Sequence, residues 1–411
     1  MQRSALIILG CVAAVLATAV WFAASDADAS SNPNATQSVA TQASKTAALA
    51  DLSKNKAENS NANSNPNSPL SAEGQRNRQE QLVFWQGRYE RAEQVYAHYR
   101  DSTRYPPESH PISEHPDQVR PFATIKEDTK LRNAKGDVVA GIKLRTTQER
   151  VFASGADTVK LTVAAMDETG ALLPITITSA EARSLAESKT LTNIVQVPLV
   201  FDDLGQGADS VAADNTFSTR LAPAAQGFAG YAGTVRVVVK INAKGQEGVA
   251  QFDVVYSPEV PATWGSVREA LEAGSLNLYV KAQVKKAGRY VVSARIDDAN
   301  GVPFALLQFN DEVAAGPAEF KLHLFGALVR DKKPAFPLRL RDVDGFLLYP
   351  DRYPDRAMMA RLPDVVHTTA RYSTDAFSPA EWTSEERERY LAEYGKDAET
   401  AKTNVDRLLV K

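Results

Sequence analysis

The chain has 411 residues and a net charge of −3, with 24% charged and 44% hydrophobic residues. This length accommodates two domains with cores of ordinary size, and a nearly neutral chain without a long basic block lacks the electrostatic footprint of a nucleic-acid-binding protein. The single cysteine, Cys11, excludes disulfides and thiolate metal sites from the rest of the chain.

An uncharged apolar run, ALIILGCVAAVLATAVWFAA, occupies residues 5–24. As a helix it rises about 30 Å, the thickness of a bilayer's hydrocarbon core, so residues 1–24 are predicted to form a membrane anchor helix in contact with the lipid bilayer. The positive Arg3 before the run and the aspartates after it favour an inner-membrane, single-pass topology with the C-terminal bulk in the periplasm. Cleavage near Ala29, at an A-x-A sequence, stays open and would release a periplasmic or secreted protein.

The next segment, residues 25–76, is rich in Ser, Asn and Ala and poor in aromatic residues. Such a composition buries too little apolar surface to offset the entropy of ordering. We therefore predict a disordered linker, which as a flexible coil of about 50 residues spans on the order of 40 Å.

A preceding amphipathic helix and a proline-rich strap are predicted for residues 77–130. Between Glu80 and Arg100, a 3-4-3-4-3 spacing aligns one helical face, which consists of Leu82, Trp85, Tyr89, Ala92, Tyr96 and Tyr99. We expect this face to be an interaction surface. Packing on the chain's own β domain and pairing in a short homodimeric coil both stay open.

The strap covers residues 105–121, where the prolines favour an extended backbone. His110 and His115 lie within it, near Glu108 and Glu114. Zinc uses such nitrogen and oxygen donors, whereas the simpler interpretation is that both histidines face solvent.

Short alternating segments with turn signals between them follow, which is typical of antiparallel sandwiches. The predicted strands include residues 159–163, 233–240, 251–256, 276–284, 288–295, 319–329, 337–340 and 367–372. The fold class is therefore mainly β, with two tandem antiparallel β-sandwiches over residues 131–257 and 258–375.

C-terminal helices are predicted for residues 376–411. Ser378, Pro379 and Glu381 form an N-terminal capping pattern. Gly395 is expected to end this helix, with a further helix over residues 397–409.

The candidate metal site lies in the loop FDDLGQGADSVAAD, residues 201–214. Its four carboxylates, Asp202, Asp203, Asp209 and Asp214, are hard oxygen donors of the kind that calcium prefers, although the spacing is not that of an EF-hand. The alternative is a loop in which Asp and Gly stabilise turns. No other cofactor is predicted.

Catalytic residues are not predicted. The sequence contains no H-E-x-x-H, G-x-S-x-G or P-loop motif. The pairs Asp297/Asp298 and Asp342/Asp344 could supply an acid and a base, but each pair lies beside a glycine turn signal.

Residues 151–155 (VFASG), which lead into a strand and the turn DETG at 167–170, resemble the start of an Ig-like module of bacterial surface proteins. Residues 202–217 and 287–290 are similar to segments of bacterial membrane-anchored "choice-of-anchor"-type envelope proteins. The resemblance covers about residues 130–375. It implies Ig-like sandwiches in a cell envelope and supplies no catalytic residue.

The leading hypothesis is a membrane-tethered periplasmic binding or scaffolding protein of a Gram-negative bacterium, without enzymatic activity, whose partner is a protein or polysaccharide of the envelope. The alternative is an exported hydrolase, or a calcium-stabilised accessory subunit, acting on envelope polymers. Nucleic acid is not expected as a partner.

Overall fold

The computed structural model describes residues 72–133, 135–185 and 194–410. No helix within these ranges is long and apolar enough to span a bilayer. The predicted anchor, residues 5–24, and the predicted linker up to residue 71 lie outside the described residues. Residues 72–76 of the predicted linker are helical, because the first described helix begins at Ala72.

The described chain is mainly β, as predicted, with three α-helices. The helices are α1 Ala72–Ser102, α2 Gly326–Lys332 and α3 Glu385–Leu409. The strands are β1 Ser109–Pro111, β2 Ile125–Arg132, β3 Val138–Gln148, β4 Phe152–Ser154, β5 Val159–Met166, β6 Leu172–Leu173, β7 Ile175–Ser184, β8 Gln196–Pro198, β9 Phe217–Leu221, β10 Gly233–Ala243, β11 Gln246–Ser257, β12 Ala262–Glu272, β13 Ser275–Val284, β14 Gly288–Asp297, β15 Pro303–Val313, β16 Gly316–Leu324, β17 Arg339–Leu348, β18 Arg356–Met358 and β19 Leu362–Thr368.

These strands form four sheets, antiparallel except for the β4–β11 pair. The first β unit combines a sheet of order β2-β3-β5-β6, with β9 beside β5, and a sheet of order β4-β11-β10-β7-β8. The second β unit combines a sheet of order β1-β15-β14-β17-β18, with β19 beside β17, and the three-stranded sheet β12-β13-β16. Among the described strands, seven of the fifteen pairings join strands that follow each other in the chain.

Each β unit encloses its own hydrophobic core. In the first unit Val163 of one sheet and Val237 of the other are fully buried in the same cluster. In the second unit Val292 of one sheet and Leu278 of the other are fully buried in the second cluster. Alternation of inward and outward side chains along β10 shows why the sequence pattern predicted these strands. Each such buried side chain contributes about 1.5–3 kcal/mol.

Five of the predicted strand segments, from residue 159 to residue 295, lie within observed strands and are confirmed. The segment 319–329 is partly wrong, because β16 ends at Leu324 and α2 begins at Gly326. A Cβ at Gly326 would lie 2.1 Å from the carbonyl oxygen of Gly274. The chain thus turns into a buried helix against the β12–β13 hairpin instead of extending.

The predicted C-terminal helices are also wrong in detail, since one helix, α3, replaces them. Its N-cap is Ser384, whose hydroxyl accepts from the backbone N–H of Arg387. Ser378 does not start a helix, because its backbone N–H donates to the carbonyl oxygen of Gly274, 2.9 Å away. Gly395 does not end the helix either and lies inside α3.

The strap joins the second β unit. Its residues 109–111 form β1, which pairs with β15 at the sheet edge. The fully buried Arg295 donates to the carbonyl oxygen of Gln118 (3.1 Å) and to Asp344 (2.7 Å). Arg341 donates to the carbonyl oxygen of Val119, 3.0 Å away. Two guanidinium groups from the sheet therefore fix the proline-rich segment.

A loop at residues 349–356 connects the two β units. The Tyr349 hydroxyl donates to Glu259, 2.6 Å away. Glu259 lies in the segment that connects β11 of the first unit to β12 of the second. The Tyr353 hydroxyl hydrogen-bonds to Thr234 of β10, and the Arg356 guanidinium lies over the ring of Phe152 of β4. This loop, which has the repeated sequence YPDRYPDR, is therefore a junction element.

Replacing Arg295 by alanine is expected to lower the free energy of unfolding by about 3–5 kcal/mol, because Asp344 and the strap carbonyl would lose a buried partner. The measurement is urea denaturation of the chain from Ala72 onward. The matched control is Arg145→Ala, which breaks an exposed pair with Asp128 and should lower the stability far less, because solvent screens exposed ion pairs. Equal losses in the two variants would contradict the anchoring role of Arg295.

Candidate functional site

The predicted interaction face of α1 is half-buried at Leu82, Trp85, Tyr89, Tyr96 and Tyr99. Tyr99 contacts Tyr390 and Tyr394 of α3 edge to face, with ring centroids 5.7 and 5.2 Å apart. Such aromatic pairs contribute about 0.5–1.5 kcal/mol each beyond their buried area. At its C-terminal end, the face is therefore occupied by α3, an intramolecular partner that the sequence analysis did not consider.

Gly395 of α3 lies against Tyr96 of α1. A Cβ at Gly395 would be 3.6 Å from the Tyr96 ring, an ordinary van der Waals contact. Further toward the start of α3, Arg387 donates to the Thr103 hydroxyl, 3.1 Å away. Since residue numbers fall along α1 as they rise along α3, the two helices are antiparallel.

A matching seam runs along α3. Most of its buried and half-buried side chains follow each other at intervals of four and three, namely Arg387, Leu391, Tyr394, Ala398, Ala401, Val405 and Leu408. The contacts of Tyr99 with Tyr390 and Tyr394 and of Tyr96 with Gly395 join the C-terminal half of α1 to the first half of α3. We call these two antiparallel helices the helix pair.

Ion pairs fix the base of the helix pair to the second β unit. Arg104 donates to Asp331 of α2 (2.8 Å) and to Glu381 (2.9 Å). Arg387, only 5% exposed, also donates to Glu381, at 2.9 Å. The hydrogen bond from Arg104 holds the pKa of Asp331 below its usual range. Asp331 therefore contributes stability at neutral pH that is lost as the pH falls through its lowered folded-state pKa.

The acidic loop brings three of its four predicted ligands together. Carboxylate oxygens of Asp203, Asp209 and Asp214 lie within 4.8 Å of one another. Asp202 is not part of the group. It forms a β-bridge with Ser218, and strand alternation turns its side chain to the opposite face from that of Asp203.

Backbone N–H groups already hold the three carboxylates. Asp203 accepts from Asp214 (3.0 Å) and Asn215 (2.9 Å), and Asp209 accepts from Gly205 (2.6 Å). These hydrogen bonds are the ones expected of a loop whose aspartates stabilise turns. Each carboxylate keeps further lone pairs, and calcium accepts oxygens at about 2.3–2.6 Å, so the donor set also fits a calcium ion.

The hydrogen bond from the Gly205 N–H is the main cause that lowers the pKa of Asp209, while burial opposes it. A lowered pKa means that the folded loop favours the ionised carboxylate. The associated stability is present above the unfolded-state pKa and is lost as the pH falls through the folded-state value. A bound cation would add to this preference.

The carboxylate pairs considered for acid–base chemistry have other partners. Asp297 and Asp342 both pair with Arg341, and Asp344 pairs with Arg295. Asp298 accepts from the backbone N–H groups of its own turn at 2.8 and 2.9 Å. Their positions are explained by ion pairing and turn formation.

An open groove of about 590 Å³ lies on the three-stranded sheet of the second β unit. Trp264, Lys281, Gln283, Pro317 and Glu319 are among its lining residues. Trp264 is held in place by a hydrogen bond from its indole N–H to the carbonyl oxygen of Ala360, 2.6 Å away. Local sequence patterns do not reveal this groove, because the β12–β13 hairpin and β16, which line it together, are separated in the chain by β14 and β15.

Comparisons with known proteins add little. No protein-family profile and no curated protein matches the chain. Its fold is similar, with a TM-score of 0.38 and 14% sequence identity, to a crystal structure of a DUF4785 family protein from Legionella pneumophila. The match covers 56% of this chain and 58% of that chain.

If the acidic loop binds calcium, saturating calcium should raise the melting temperature by at least about 3 °C through preferential binding to the folded state. Differential scanning fluorimetry with calcium or chelator measures this shift. The double variant Asp203→Asn, Asp209→Asn should lose it.

The control for this prediction is Asp167→Asn with Asp298→Asn. Both residues stabilise turns through backbone N–H groups and are outside the acidic group. This control should retain the calcium shift. An unchanged melting temperature of the parent chain with calcium would remove the calcium interpretation.

Proposed function

We propose that this chain is a membrane-tethered periplasmic protein without enzymatic activity, which presents two tandem Ig-like β-sandwiches as a binding or scaffolding platform in the cell envelope. The observation that carries the proposal is the helix pair and its ion-paired base. The C-terminal part of α1 contacts α3, and Arg104, just after α1, pairs with Asp331 of α2.

The helix pair suits a protein held at one end. α1 follows directly on the Ser/Asn-rich segment that separates it from residues 5–24. Its C-terminal end is fixed by Arg104 to Asp331 and Glu381. A constraint applied through the N-terminal segment would therefore be carried into the second β unit through contacts of defined geometry.

The groove beside Trp264 is the binding surface that we propose for an envelope partner. It combines an aromatic ring and a proline with the exposed polar side chains of Lys281, Gln283 and Glu319. Concave surfaces with a few polar groups among apolar ones bind peptides and sugars. We therefore assign the groove to a protein or polysaccharide of the envelope.

One observation favours the alternative of a calcium-stabilised accessory subunit, namely the proximity of Asp203, Asp209 and Asp214. In that version the ion would order the loop between β8 and β9. The hydrolase version has no comparable support among the described residues. Asp344 and Asp297 are in ion pairs, and Asp298 stabilises a turn.

Cell fractionation tests the tether. The full chain should remain in the membrane pellet after an alkaline wash and dissolve only in detergent, because residues 5–24 would lie in the bilayer. Deleting residues 1–29, with a cleavable signal peptide supplied, should move the protein to the soluble periplasmic fraction. A full chain in the soluble fraction would contradict the tether.

In-cell cross-linking of the same full chain tests the platform. Lys281→Glu with Gln283→Glu should remove the adducts formed at the groove, since it reverses the charge pattern of the exposed face. Lys126→Glu with Lys130→Glu, on the exposed strand β2, is the control and should keep them. Identical adducts in both variants would contradict the assignment of the groove.

A further inference from the structure

Three side chains with metal-binding donors meet on the strap. The ring nitrogens of His110 and His115 and a carboxylate oxygen of Glu114 lie within 4.8 Å of one another. The two imidazole rings are 5.2 Å apart at an angle of 76°. This group mixes nitrogen and oxygen donors, unlike the all-carboxylate acidic loop.

The distance between His110 and Glu114 is close to the spacing of two ligands of one zinc ion. Nδ1 of His110 lies 3.7 Å from Oε2 of Glu114, too far for a good hydrogen bond. Two donors bound to a tetrahedral zinc ion at about 2.0–2.1 Å are about 3.3–3.4 Å apart. A shift of a few tenths of an ångström would bring this pair to the spacing that zinc requires.

The backbone holds the three residues from both sides. His110 is in β1, which is paired with β15. A 3-10 turn, Ile112–Glu114, follows and is closed by the bond from the His115 N–H to the carbonyl oxygen of Ile112, 2.9 Å. The next turn is held by Arg295 through Gln118. The backbone that carries the three donors is thus fixed before any ion binds.

The donors are also accessible. Within the part of the chain that the structure describes, neither ring nitrogen of His115 makes a hydrogen bond to protein, and the Glu114 side chain is 50% exposed. Two other histidines are already engaged, because His323 bonds to Asn277 (2.7 Å) and His367 to Glu269 (2.8 Å).

We propose that His110, Glu114 and His115 bind a divalent metal ion of borderline softness, with zinc as the preferred ion and water in the fourth position. Two imidazoles and one carboxylate favour zinc or cobalt over calcium and magnesium. The ion would link β1 to the turn that follows it and so stabilise the strap between α1 and the first β unit. This site does not depend on the calcium alternative.

Isothermal titration of the full chain in detergent micelles with zinc chloride tests the site, with cobalt absorption spectra reporting the coordination geometry. We expect one ion per chain and a tetrahedral cobalt spectrum. His115→Asn and Glu114→Gln should each weaken zinc binding at least about tenfold, with an unchanged circular dichroism spectrum showing that the variants fold.

The controls are His98→Asn, at an exposed position of α1, and Asp203→Asn with Asp209→Asn, and both should bind zinc like the parent chain. Absence of saturable zinc binding in the parent chain would overturn the proposal. Equal zinc affinity in His115→Asn and the parent chain would also overturn it, because the ion would then be bound elsewhere.

Discussion

Buried guanidinium groups organise the N-terminal part of this fold. Arg295 and Arg387 are 2% and 5% exposed, and Arg341, the partner of Arg295 across β14 and β17, is largely buried as well. A buried cation must satisfy its N–H donors or destabilise the fold by several kcal/mol. Besides carboxylates, these three arginines use backbone carbonyl oxygens of residues 118, 119 and 100. The segment between α1 and β2 is therefore fixed by charges that the later chain supplies.

This arrangement links the helix pair to both β units. Arg104 and Arg387 form the ion pairs at the base of the helix pair. The strap adds β1 to the second β unit. Tyr349 and Tyr353, in the loop between the β units, bond to Glu259 and to Thr234 of the first unit. Under the proposed function, these contacts would hold the groove beside Trp264 in a fixed position relative to the C-terminal end of α1, while the predicted linker would set its distance from the bilayer.

The sequence predicts what local periodicity encodes, and it fails where distant residues compete. Alternation along β10 and the 3-4 spacing of α1 were sufficient because each follows from one face being buried. The capping pattern at Ser378 does not start a helix, because the backbone N–H of Ser378 donates to the carbonyl oxygen of Gly274. No local pattern reveals this contact. The seam of α3 is not predicted as one face, because Gly395 is expected to end the first helix although Leu391, Ala398 and Val405 continue the same spacing. In the acidic loop, alternation could have separated Asp202 from Asp203, whereas the proximity of Asp209 and Asp214 depends on the folded loop.

Hydrogen exchange of α1 tests most directly whether α3 packs along α1. Ala401→Glu places a charge in the buried seam, where Ala401 is 1% exposed, whereas Lys402→Glu changes the neighbouring exposed position. The account predicts faster amide exchange across residues 80–100 in Ala401→Glu and parent-like exchange in Lys402→Glu. The same α1 exchange in both variants and the parent chain would contradict it.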